Sequence, residues 1–88
     1  MGDVAGCFVR TQDKEINFKI IAPAGYRVQV VDYWVQNSQG THVPELTQRM
    51  RNHPPVVSSN DTEWEWHISY PVFSHYYLVR YRFSKSGI

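Results

Sequence analysis

The sequence predicts an all-β fold: a small antiparallel β-sandwich or a partly open barrel of five to six main strands, with at most one short helix near 44–51. Three observations predict it. Several stretches alternate polar and apolar residues with a period of two, as a strand with one buried and one wet face requires. Short clusters of Pro, Gly, Asn, Asp and Ser separate them, and these residues favour turns. Thirteen of the 88 residues are aromatic. That suits a small core built from a few large pieces, each able to bury about 150–250 Å².

The chain is expected to form one β domain over 1–88, with 1–6 and 84–88 loose. Cys7 to Thr11 is a short strand candidate, and Gln12-Asp13-Lys14 a turn. Between Glu15 and Ile21, the residues Ile16, Phe18 and Ile20 share one face, with Glu15, Asn17 and Lys19 opposite. Ala22-Pro23-Ala24-Gly25 breaks this strand, because proline removes a ladder donor and glycine permits positive φ. From Tyr26 to Val35 the alternation slips at Val30-Val31. Such a slip means a β-bulge or a strand buried on both faces; the bulge is preferred because it also bends the strand around a small core.

Residues 44–51 fit either two helical turns or an extended loop. Pro44 suits a first helical position, Glu45 the positive end, and Arg49 and Arg51 the negative end. Leu46 and Met50 would form one apolar stripe. His53-Pro54-Pro55 ends the segment, and Val56-Val57 is a short edge-strand candidate.

Two strong alternations follow, 62–70 and 75–83, joined by Pro71-Val72-Phe73-Ser74. They are expected to pair as a β-hairpin. The apolar positions are even in the first arm and odd in the second. Paired residues share a face, so the numbers of a pair must sum to an odd value. The preferred register sets Trp66 against Val79 and Trp64 against Tyr81 inside, with Glu65 against Arg80 and Glu63 against Arg82 outside.

Function is far less legible. The net charge of +1 argues against broad attraction to nucleic acid or to an acidic membrane. Cys7 is the only cysteine, so no internal disulfide forms, and a reducing compartment is expected. Residues 1–7 carry no basic stretch and no long apolar run, so no signal peptide is expected. Gly6 stands where a myristoylation motif wants Ser or Thr. The expected setting is cytoplasmic or virion-associated. His42, His53, His67 and His75 show no tight ligand spacing, so no metal site or cofactor is expected. Glu63 and Glu65, about 7 Å apart along a strand, read as solvated charges rather than a catalytic pair. No nucleophile motif is present, so no catalytic residue is expected.

One segment has a family likeness. Ile16 to Ile21, Ala22-Pro23-Ala24-Gly25 and Tyr26 to Val30 resemble a strand, "APxA" turn and second strand of the Ig-like modules that bind starch and glycogen beside branching enzymes and kinases. Tyr81-Arg82-Phe83-Ser84 is similar to their closing strand. The likeness covers about a third of the chain and departs from the family at Asp32 to Asn37. The likeness implies an Ig-like sandwich and a carbohydrate-binding role; the candidate sugar platform in this chain is Trp34 with Tyr33, which lie inside the departing segment.

The first expectation is a non-enzymatic module working by protein–protein contact with another protein or with itself. It would be a stand-alone inhibitor, adaptor or assembly subunit of the kind viruses and mobile elements encode. Its contact residues are Trp34, the link residues Val72, Phe73 and His75, and the outward residues Tyr76, Leu78, Arg80 and Arg82. An apolar link is unusual, and exposed aromatic clusters mark contact surfaces. Glycan binding is the alternative. Single-stranded nucleic acid, held by Tyr76, Arg80 and Arg82, ranks third, because Glu63 and Glu65 beside them would repel phosphate.

Overall fold

The computed structural model describes residues 3–12 and 14–85. The segments 1–2 and 86–88, expected to be loose, and Asp13 of the expected turn lie outside the described residues. The elements are β1 (Asp3–Phe8), β2 (Glu15–Ile21), β3 (Tyr26–Asn37), α1 (Pro44–Arg51), β4 (Val56–Val57), β5 (Glu63–Ser69) and β6 (His75–Lys85). They form two three-stranded antiparallel sheets, ordered β1-β6-β3 and β2-β5-β4. The result is a small β-sandwich and not a closed barrel.

The expected hairpin is not formed. β5 pairs with β2, and β6 pairs with β1 and β3, so the two strong alternations lie in different sheets. Glu65 stands opposite Lys19, and Arg80 opposite Val4 and Asp32. Alternation tells which way a side chain points, but it does not choose the neighbouring strand. The link explains the outcome. Tyr70 and Ser74 take left-handed backbone angles (φ 50° and 62°), and Pro71 between them has no N–H to donate. The chain leaves one ladder, crosses the core and enters the other sheet. The Ser74 N–H bonds the Val9 carbonyl and the Val9 N–H bonds the His75 carbonyl, which ties the far end of the link to β1.

The core lies between the sheets. Val28 and Val35 of β3, Tyr77 and Val79 of β6, Ile20 of β2, and Trp66 and Ile68 of β5 are all buried. Trp66 is central: Phe18 stacks on it at 5.3 Å, Tyr33 meets it edge-on at 5.8 Å, and Trp64 lies at 6.0 Å. Such ring pairs add about 0.5–1.5 kcal/mol each beyond their buried area.

β1 begins at Asp3, inside the segment expected to be loose, and β6 runs on through Ser84 and Lys85. Gly6 lets β1 lie close to β6. A Cβ there would land on the Tyr77 carbonyl oxygen and 2.9 Å from the Leu78 Cα. The phase slip in β3 is a bulge. Val30 faces Tyr81, Asp32 faces Arg80, and the extra residue Val31 is 56% exposed.

Residues 44–51 are helical. Thr47 locks the helix to the sheet: its buried hydroxyl accepts the Val35 N–H at 2.9 Å and lies 3.0 Å from His42 Nε2. Because β3 is an edge strand, this bond satisfies a ladder donor that no strand covers. No helix is long and apolar enough to cross a membrane among the described residues.

Candidate functional site

The outer face of the β1-β6-β3 sheet gathers most of the residues expected to make contact. Tyr77 and Val79 point into the core, so Tyr76, Leu78, Arg80 and Arg82 point away from it. The bulge puts Trp34 on this same outer face, opposite Leu78. Without the bulge, regular alternation running through Val31 would set Arg27 and Gln29 on one face and Asp32 and Trp34 on the other.

The face has two halves. Near the β5–β6 link it is aromatic and aliphatic. The Phe8 and Tyr76 rings lie 4.6 Å apart, and Leu78 fills the space over Gly6 beside Trp34. Trp34 is half-buried, and its indole N–H donates to Gln36 Oε1 at 3.1 Å. Toward the other end the face is cationic. The Arg80 guanidinium lies 5.4 Å from the Trp34 ring centre. Arg82 donates to Gln29 Oε1 at 2.8 Å and Arg27 to Ser84 Oγ at 3.3 Å. Arg10 stands apart from them at the aromatic end, 6.0 Å from the Phe8 ring centre.

Among the described residues none of these four arginines forms an ion pair. The carboxylate on the face, Asp32, is taken by Arg51 of the helix at 2.8 Å. Trp34, Arg80, Asp32, Arg51 and His42 line a shallow cleft of about 400 Å³.

Charge is segregated between the two sheets. Glu63 and Glu65 sit on the outer face of the other sheet, together with Glu15, Lys19 and His67. The His67 ring there lies 3.6 Å from both Glu15 and Glu65. The small net charge of the chain therefore hides a basic aromatic face and an acidic face on opposite sides. The sequence reading that set Glu65 beside Arg80 missed this, because it assumed the hairpin.

The link residues lie at the aromatic end. Phe73 is 54% exposed and Val72 is half-buried, its N–H donating to Tyr77 Oη at 2.9 Å. His75 is half-buried, with Nδ1 2.9 Å from the Phe73 carbonyl. Tyr33 and Trp34 point to opposite faces of β3, since Tyr33 packs on Trp66 inside. They do not form one platform for a sugar ring.

Phe8, Arg10 and Arg27 belong to the face but were absent from the expected set. Their signal was faint. Arg27 stood on the polar side of its strand, while Phe8 and Arg10 become relevant only once β1 is known to pair with β6. Burial raises the Cys7 thiol above its ordinary pKa, so it is a poor nucleophile at neutral pH. Among the described residues no three His, Cys, Asp or Glu side chains could together hold a metal ion. No family model, curated relative or solved structure matches this chain.

Proposed function

We propose that this chain is a small non-enzymatic binding module that engages an acidic surface of a partner protein through the outer face of its β1-β6-β3 sheet. One observation carries the reading. Arg10, Arg27, Arg80 and Arg82 surround a half-buried strip of Phe8, Tyr76, Leu78 and Trp34, and no carboxylate pairs with these arginines among the described residues. Trp, Tyr and Arg dominate the energetics of protein interfaces, and unpaired cations select acidic partners. Phe73 extends the apolar strip onto the link.

The test is affinity capture from the native host after nuclease treatment, comparing wild type, Trp34→Ala, Arg80→Ala and Phe73→Ala with a Lys19→Ala control on the acidic face. A partner protein held by wild type and Lys19→Ala, and about 30-fold weaker with Trp34→Ala or Arg80→Ala, supports the reading. If no captured protein depends on these residues, the reading is wrong. Light scattering of the pure chain reports whether the partner is a second copy.

A second reading, single-stranded nucleic acid, gains from the structure. The repulsion of phosphate that Glu63 and Glu65 would cause beside Arg80 and Arg82 does not arise, because both glutamates lie on the opposite sheet. Aromatic rings interleaved with arginines on a sheet can stack bases and neutralise the backbone. A salt-dependent gel shift that is lost in Tyr76→Ala and Arg82→Ala would favour this reading over the first.

A further inference from the structure

The two edges of β5 are filled very unequally. On the β2 side the ladder is complete, from Ala22 N–H to the Thr62 carbonyl through Tyr70 N–H to the Lys14 carbonyl. The even-numbered residues of β5 make those bonds. The backbone groups of odd-numbered residues therefore point to the other side, as the bond from Ser58 N–H to the Glu63 carbonyl confirms. There β4 spans only Val56 and Val57, opposite Glu65 and Trp64. The next bonded pair would set Pro54 against His67, and proline has no N–H. The chain turns away toward α1. The N–H and C=O groups of His67 and Ser69 are left as open ladder positions, with no backbone bond on that side among the described residues.

A cavity of about 100 Å³ lies against this open edge. Its apolar wall is Leu46 and Met50 of the helix and Ile68 of β5. Arg49, His53 and Tyr77 also line it. Arg49 is exposed and forms no ion pair among the described residues. It lies close enough to Tyr77 to act on that phenol electrostatically. A cavity of roughly 150 Å³ admits benzene, so this one suits an aliphatic side chain of three or four carbons. The acidic residues nearby, Glu15 and Glu65, flank the His67 ring, which leaves the helix side as the place for a negative group.

We propose that this site binds the carboxy-terminal residues of an extended peptide. The peptide adds a short strand to β5 at His67 and Ser69, seats an aliphatic last side chain between Leu46, Met50 and Ile68, and presents its carboxylate to Arg49 and His53. Main-chain bonds to an open edge supply affinity in such complexes, and the pocket supplies selectivity. This site is separate from the arginine-rich face and stands or falls without it.

The test is an amide ¹H–¹⁵N titration of the full chain with acetyl-Ala-Ala-Val as the free acid and as the carboxamide, each to about 10 mM, the range in which millimolar binding is read. The free acid should shift the His67 and Ser69 amides and saturate, and the carboxamide should bind about tenfold more weakly. Arg49→Ala, an exposed change whose spectrum verifies its fold, should bring the acid down to the carboxamide. The proposal is overturned if the His67 and Ser69 amides do not move, if acid and carboxamide bind equally, or if the shifts cluster on Arg80 and Trp34 instead.

Discussion

Thr47→Val isolates one buried hydrogen bond. The two side chains have nearly the same shape and similar helix propensity, so packing and helix formation change little. What is lost is the oxygen that accepts the Val35 N–H at 2.9 Å. Val35 is fully buried and Thr47 is 2% exposed, so water cannot replace the bond without opening the joint between α1 and β3. The Val35 carbonyl keeps its bond from the Val43 N–H at 2.9 Å, and His42, whose ring also loses the hydroxyl, is exposed to water, so the buried group left orphaned is the Val35 donor. An orphaned buried donor costs about 1–3 kcal/mol. A domain of this size has about 4–13 kcal/mol of stability in total, and each kcal/mol moves Tm by about 4–8 °C. The expected loss is about 2 kcal/mol, measured by urea unfolding followed through tryptophan fluorescence. Thr47→Ser keeps the oxygen and loses one methyl, for about 1 kcal/mol. Hydrogen exchange separates the two causes: Val35 amide protection should fall in Thr47→Val and hold in Thr47→Ser. Wild-type stability together with unchanged Val35 protection in Thr47→Val would refute the reasoning.

Three further outcomes are expected. Gly6→Ala should destabilise by about 2 kcal/mol, because β1 must shift to free the new methyl from the Tyr77 carbonyl; protection lost first in β1 amides would identify the cause. Burial raises the pKa of Cys7 and, against a Val72 backbone bond and the Arg49 charge that lower it, of Tyr77. Both raised values mean that the folded state holds protons the unfolded chain releases. Their stability contribution is therefore complete below the ordinary thiol range and is lost as pH rises through the raised values. Urea midpoints should fall as pH rises past about 8, the start of the ordinary thiol range, and less steeply in Cys7→Ala. Arg80→Ala should cost no more than about 1 kcal/mol of stability, the worth of an exposed cation–π contact; a larger loss would mean that Arg80 supports the fold rather than a contact surface.

Local physics left clear marks in the sequence. Alternation located the faces of β2, β5 and β6, the Val30-Val31 slip marked the bulge, and Pro44 with the Leu46–Met50 spacing marked the helix. Which strands pair is a different matter. Trp66 opposite Phe18 and Trp66 opposite Val79 satisfy the same parity of faces, and only the backbone of the short link rejects the second. That one choice decided the reading of the surface. It put Glu63 and Glu65 among the arginines, whereas the folded chain sets them on the opposite side. Trp34 was foreseeable as an outward residue, because the slip alone sets its direction. Phe8 and Arg10 were not, because their membership of the face depends on a contact between the two ends of the described chain.

The crossing between β5 and β6 also governs how fast this protein can fold. It leaves no local hairpin between those two strands, and among the described residues β4 with β5 is the one pair of consecutive strands that are hydrogen-bonded neighbours. β1 must wait for β6, joining Asp3 to Tyr81, and β2 must find β5 across the whole of β3 and the helix. Loops of this length have to close before any ladder rewards them, so folding in milliseconds to seconds is expected, slow for so few residues. During that wait the Trp64–Trp66 strand, formed of residues that favour β structure, has only the two residues of β4 to pair with. The nascent chain is then most exposed to association with its own copies.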